Sequence, residues 1–139
     1  MDANTDLMYR YQNSKLIQAV GSKQLAAAVD ASGKGHVLVN SLNPGLSRTQ
    51  LTRHVSFPIN IIVFLLMWVL GRSAEAGSRC LVAAAQAGED THGRFTNLCT
   101  LEEDPPLMLG EEGAAMQKKI WGELLDVLDE IEPGVVDNI

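Results

Sequence analysis

The chain has 139 residues, 46% hydrophobic and 20% charged, a length and balance that suit one globular domain and argue against disorder. Its net charge of −6 is graded: six basic and three acidic residues lie in 1–54, three of each in 55–99, and two basic against eleven acidic in 100–139. An acidic tail without a basic cluster is a poor match for nucleic acid, and no such partner is expected. The opening Met1-Asp2-Ala3-Asn4 lacks the charge and the apolar stretch of a secretory signal. With only two cysteines, Cys80 and Cys99, this predicts a cytoplasmic protein whose thiols stay reduced.

In chain order, Tyr9 to Ala28 is predicted as a helix, with Leu16, Val20 and Ala27 on one face and Gly33 beyond its end. Small residues at Ala19, Gly21, Ser22 and Ala26 would let another helix approach closely. His36 to Leu42 is short, valine-rich and apolar on both faces, the pattern of a strand buried in a parallel sheet, and Asn43-Pro44-Gly45 breaks it.

Ile61 to Leu70 is a run of ten consecutive apolar residues, preceded by Phe57, Pro58 and Ile59. A bilayer span needs about 20, so the reading is a buried or lid-like helix over an apolar pocket. Membrane-surface contact through 57–70 is a lesser option. Ser73 is placed to cap a helix reaching Ala87, stopped by Gly88. Gly93 to Leu98 reads as a second short strand and Pro105-Pro106 as an extended linker. A final helix follows, with Glu111 and Glu112 at its positive end and Met116, Ile120, Leu124, Leu128 and Ile131 along one side. Alternating helices and strands imply an α/β fold with a parallel sheet. Two short strands are too few for a complete one.

The strongest chemical signal is Tyr11-Gln12-Asn13-Ser14-Lys15. Residues i and i+4 share a helix face, so Tyr11 and Lys15 project together. A lysine cation a few ångströms from a phenol stabilises the phenolate, which is how a tyrosine becomes a usable acid or base. The spacing alone is weak, because many surface helices carry it by chance. His36, His54 and His92 have no metal-ligand spacing among themselves or with the cysteines, and are read as structural.

The motif does not stand alone. Tyr11, Ser14 and Lys15 form the Tyr-x-x-Ser-Lys pattern. It is followed by the strand to Leu42, the Pro44-Gly45 turn and Thr49, then Glu75-Ala76-Gly77-Ser78-Arg79, His92-Gly93-Arg94-Phe95, Glu111-Glu112-Gly113 and Trp121-Gly122-Glu123-Leu124. In this order the residues resemble the C-terminal part of short-chain dehydrogenases/reductases, particularly fungal members related to retinol-dehydrogenase-like reductases, from Tyr9 to Val135. The resemblance implies the C-terminal portion of a Rossmann-type fold, mostly helical with about two parallel strands. It implies one domain over 1–139: a catalytic helix, strand and turn in 9–54, an apolar lid-like segment in 55–71, and C-terminal helices with the last strand in 72–135. It also implies that Tyr11 is the proton carrier, that Lys15 tunes it and holds the nicotinamide ribose, and that Pro44, Gly45 and Thr49 line the pocket of an NADP or NAD cofactor.

The departures weigh as much. The family's Gly-rich phosphate turn has no counterpart, since Gly33-Lys34-Gly35 precedes a strand where the fingerprint must follow one. The family's Asn-Ala-Gly segment is missing, and its catalytic serine would fall before Met1. Ser14 belongs to the motif itself and does not replace it. Three functions are therefore open. One is a truncated dehydrogenase/reductase of specialised metabolism, whose full form acts on a carbonyl or alcohol of a small apolar substrate. A second is a cofactor-independent isomerase, dehydratase or cyclase using Tyr11 and Lys15. The third is a non-catalytic remnant or binding subunit. In each case an incomplete sheet and an apolar lid predict a chain that is not a stable monomer and associates with a second copy or a partner chain.

Overall fold

The computed structural model describes residues 3–48 and 56–138. Four helices, α1 (Ala3–Ser32), α2 (Ile59–Leu70), α3 (Ala74–Ala85) and α4 (Gly110–Ile131), surround a small sheet of β1 (Ser41–Asn43), β2 (Phe95–Asn97) and β3 (Thr100–Leu101). The sheet order is β1-β2-β3. β1 runs parallel to β2 with Leu42 opposite Thr96, and β3 returns antiparallel with Thr100 opposite Asn97. The fold is thus the mixed α/β arrangement expected, with its one parallel pair formed by the two anticipated strands and a third, unanticipated strand closing a hairpin.

The first strand lies further along the chain than its valines suggest. Its backbone pairing begins where Gly93 N donates to Val39 O (2.7 Å) and continues as Ser41 N donates to Arg94 O (3.1 Å). Upstream, Val37 is 59% exposed and the His36 ring turns outward, its Nε2 2.8 Å from Glu89 Oε1. The expectation that His36 to Leu42 is buried on both faces is corrected on this point. Helices cover a parallel strand only where its neighbours continue the sheet, and β1 has β2 on one side alone among the described residues.

α1 packs on α4. Val20 is fully buried, and a Cβ on Gly21 would lie 3.5 Å from Leu124. The stripe Met116, Ile120, Leu124 and Leu128 is half-buried as its spacing predicts, whereas Ile131 is exposed. A polar thread crosses the same interface: Gln24 donates to Gln117 (3.3 Å), whose own amide donates to Met108 O (2.9 Å), so this buried glutamine is satisfied at both ends. Ala27, assigned to the packed face, is exposed. Ala26, one of the small residues expected to allow close approach, is only 2% exposed and lies against Gly93.

α3 starts as its sequence dictates, with Ser73 Oγ accepting from Ala76 N at 3.0 Å, and buries Gly77, Cys80 and Ala84. α2 is different. None of its twelve residues is buried, and Trp68 is 64% exposed. Asn60 is its one polar residue, so the helix has no face suited to water and is uncovered within the single chain. Among the described residues no helix is long and apolar enough to cross a membrane.

Two α4 glycines separate packing from propensity. A Cβ on Gly113 would lie 2.4 Å from the Met108 carbonyl carbon, while one on Gly122 meets nothing within 4 Å. Gly113→Ala should therefore destabilise by about 1–3 kcal/mol, because backbone must move. Gly122→Ala should stabilise by about 0.5–1 kcal/mol through helix propensity. Urea unfolding midpoints check both, and equal shifts of one sign would contradict the packing described.

Candidate active site

α1 carries Tyr11 and Lys15 on one side, and that side opens on a cleft of about 930 Å³. The cleft is floored by Asn40 to Asn43 and walled by Arg94, Phe95, Asn97 and Glu102 to Asp104. Tyr11 is 60% exposed. The Lys15 ammonium lies 5.8 Å from the centroid of the Tyr11 ring, within cation–π range, and donates to Gln18 Oε1 at 3.1 Å. Ser14 Oγ donates to Tyr11 O at 2.7 Å, so its hydroxyl is spent on its own helix, as its place inside the motif implies.

Pro44 and Gly45 follow directly on β1 at the end of the cleft floor and do not line the cleft itself. Their turn is built by Asn43, whose Oδ1 accepts from Gly45 N (3.0 Å) and whose Nδ2 donates to Asn97 Oδ1 (3.2 Å). Gly45 has φ +76°, and a Cβ there would lie 2.3 Å from a Leu98 methyl, so both backbone and space require glycine. Thr49 lies outside the described residues, as does His54. α2 contributes no residue to the cleft.

Two features that carry the site were not assigned to it from sequence. His92 accepts from Val39 N at Nδ1 (3.1 Å), which leaves the proton on Nε2, 3.3 Å from both Ala26 O and the Asp30 carboxylate. One imidazole thus fastens α1 to the approach of β1, and Tyr11 with it to the cleft floor. The second is the acidic wall. Asp104 pairs with Lys23 of α1, and Glu102 accepts from Asn97 (3.1 Å). Among the described residues no group of three His, Cys, Asp or Glu side chains could hold a metal ion.

A dinucleotide needs a phosphate cradle at the junction of a strand and a following helix. Here Gly33-Lys34-Gly35 leads out of α1 toward β1, the reverse order. The residues described do not fit a whole NAD(P) molecule.

Comparison with known proteins bears on this geometry. The chain is 39% identical over 128 residues to the short chain dehydrogenase/reductase dmxR8 of a Cryptosporiopsis species, covering 92% of this chain and 38% of that protein. It is 32% identical over 133 residues to the short chain dehydrogenase FGM9 of Gibberella zeae, covering 96% and 39%. A short-chain dehydrogenase of Penicillium roqueforti, anuD, is 31% identical over 131 residues, covering 91% and 34%. No family model matches. No solved structure matches either. The chain spans somewhat over a third of the length of these relatives, and with the parallel β1–β2 pair beside the Tyr11 helix it belongs to the short-chain dehydrogenase/reductase family.

Proposed function

We propose that this chain carries the proton-transfer face of a truncated, cytoplasmic short-chain dehydrogenase/reductase of specialised metabolism, whose full form acts on a carbonyl or alcohol of a small apolar substrate. The observation that supports this reading is that Tyr11 and Lys15 open together on one cleft above β1. In a full-length form, where NAD(P) would supply or accept the hydride, the Tyr11 hydroxyl would give its proton to the carbonyl oxygen in reduction and the phenolate would take one from the alcohol in oxidation. The Lys15 cation over the ring offsets the negative charge left on the phenolate. Lys15, Pro44, Gly45 and Thr49 are the positions that the family resemblance assigns to the nicotinamide side. The adenosine and phosphate side has no counterpart among the described residues. A second reading, cofactor-independent acid/base catalysis by Tyr11 and Lys15, draws on the same cleft, whose opposite wall offers Glu102 and Glu103 as further proton carriers.

The family uses NAD(P), but too few contacts remain here to offset the entropy of ordering a dinucleotide. Calorimetric titration of the full chain with NADPH should give no measurable binding at micromolar concentration. A low-micromolar Kd would show that the chain builds a phosphate site from other residues.

The role of Tyr11 is separable from the fold because its side chain is exposed. In a strain lacking the gene, wild-type chain should restore the lost metabolite, and Tyr11→Phe should restore about a hundredth of it or less. Equal restoration by both would remove the proton-carrier role, and absence of any metabolic change on deletion would favour the non-catalytic reading.

We also propose that the chain pairs with a second copy of itself through α2. Each large apolar side chain covered there contributes about 1.5–3 kcal/mol, and twelve residues without one buried are a strong drive to associate. Light scattering coupled to size-exclusion chromatography, at micromolar concentration without detergent, should report twice the 15.0 kDa of one chain. A sharp, folded monomer would rule the pairing out.

A further inference from the structure

Cys80 and Cys99 lie on separate elements, α3 and the β2–β3 turn, 19 positions apart in sequence. Their sulfurs are 2.7 Å apart, with the Cys99 thiol directed at Cys80. Cys80 is 3% exposed and Cys99 faces solvent, so one sulfur is sheltered and the other is accessible. A covalent bond of about 2.05 Å needs less than an ångström of further approach.

We propose that Cys80 and Cys99 are a dithiol site that low-molecular-weight disulfides, such as oxidised glutathione, convert to an intramolecular disulfide. The Cys99 thiolate attacks one sulfur of glutathione disulfide, forming a mixed disulfide and releasing one glutathione thiol. Cys80, having given its proton to water, attacks Cys99 Sγ and displaces the second glutathione. Two protein thiols are oxidised to one disulfide while one glutathione disulfide is reduced to two thiols. The hydrogen bond to Cys80 and loss of solvation push the Cys99 thiol up, against the lowering charge of Arg72. A Cys99 thiol held up in this way is slow to react without an oxidant in excess.

The bond would fasten a strained turn. Leu98 and Cys99 both have positive φ (51° and 67°), which hairpins of this length demand and non-glycine residues resist. Leu98 also packs on Gly45, and its amide donates to Asn43 O at 3.0 Å. Tying Cys99 to α3 would thus hold the Pro44-Gly45 turn in place, whichever reaction the cleft serves.

The experiment treats the reduced full chain with excess glutathione disulfide, followed by non-reducing tryptic mapping and hydrogen exchange. Cleavage after Arg79 and Arg94 puts the two cysteines on different peptides, so the bond appears as a linked pair lighter by the two thiol hydrogens. Oxidation should raise the thermal midpoint by roughly 5–10 °C and slow exchange at the Leu98 amide. Cys80→Ser should instead accumulate glutathione on Cys99. Stable glutathionylation of Cys99 in the wild-type chain without the linked pair, or bonds only between chains, would overturn the proposal.

Discussion

The parallel ladder joining Val39–Asn43 to Gly93–Asn97 is the constraint on which the rest of the molecule depends. It is the long-range pairing that brings the two halves of the chain together across more than fifty residues, and its closure entropy must be offset by what it gathers. At its start His92 and Gly93 hold α1 and the approach of β1 together. At its end Asn43 and Asn97 bond side chain to side chain, and Leu98 seats on Gly45. The cleft floor, the Tyr11 helix and the Pro44-Gly45 turn are therefore positioned by one short piece of sheet. This also explains His92-Gly93-Arg94-Phe95 as a motif: its first two residues fasten the ladder and its last two enter it.

Much of this is legible in sequence where a local rule is sufficient. Ser73 caps α3, Gly33 ends α1 with positive φ, and the α4 stripe from Met116 to Leu128 packs as its period predicts. The Tyr11–Lys15 spacing places both residues on one cleft because helix geometry leaves no alternative. What escapes is set by partners distant in sequence. The valines of His36 to Leu42 promise a buried strand, yet burial depends on sheet neighbours on both sides, and β1 has one. β3 is too short to announce itself, and its turn uses Leu98 and Cys99 in a conformation usually marked by glycine or asparagine. His92 and Gln117 are polar residues whose burial follows from satisfied hydrogen bonds, and no periodicity reveals those.

The division of apolar surface is unusual for a chain of this length. Among the described residues the buried hydrophobic side chains are Val20, Ala26, Cys80, Ala84 and Met108, three of them small, while the largest apolar residues cluster outside on α2. Hydrophobic burial scales with area removed from water, so the richest source of stabilisation lies where the single chain cannot use it. Polar links carry an unusual share of the cohesion instead: the Lys23–Asp104 pair, the Gln24–Gln117–Met108 thread, and Asn40 donating to Ala84 O and Thr91. Each such bond adds only about 0.5–1.5 kcal/mol net but costs more to leave unmade. They therefore set geometry more than total stability.

That balance bears on the site. A proton-transfer pair needs its helix held at a fixed height over the substrate, and a displacement of even an ångström is costly in rate. Here α1 is held by directional bonds, His92 to Ala26 O, Lys23 to Asp104 and Gln24 to Gln117, as well as by apolar contact with α4. Directional bonds specify position where soft packing would tolerate sliding. The carboxylate that anchors α1, Asp104, is matched by Lys23, and the cleft carries Lys15 and Arg94 beside Glu102 and Glu103, so both signs of charge line it. The segment Glu102 to Asp104, drawn in against α1 through the Lys23–Asp104 pair, thus helps set the height of the Tyr11 helix over β1, while the misfit to a dinucleotide comes from Gly33-Lys34-Gly35 leading toward a strand where a phosphate turn must open a helix.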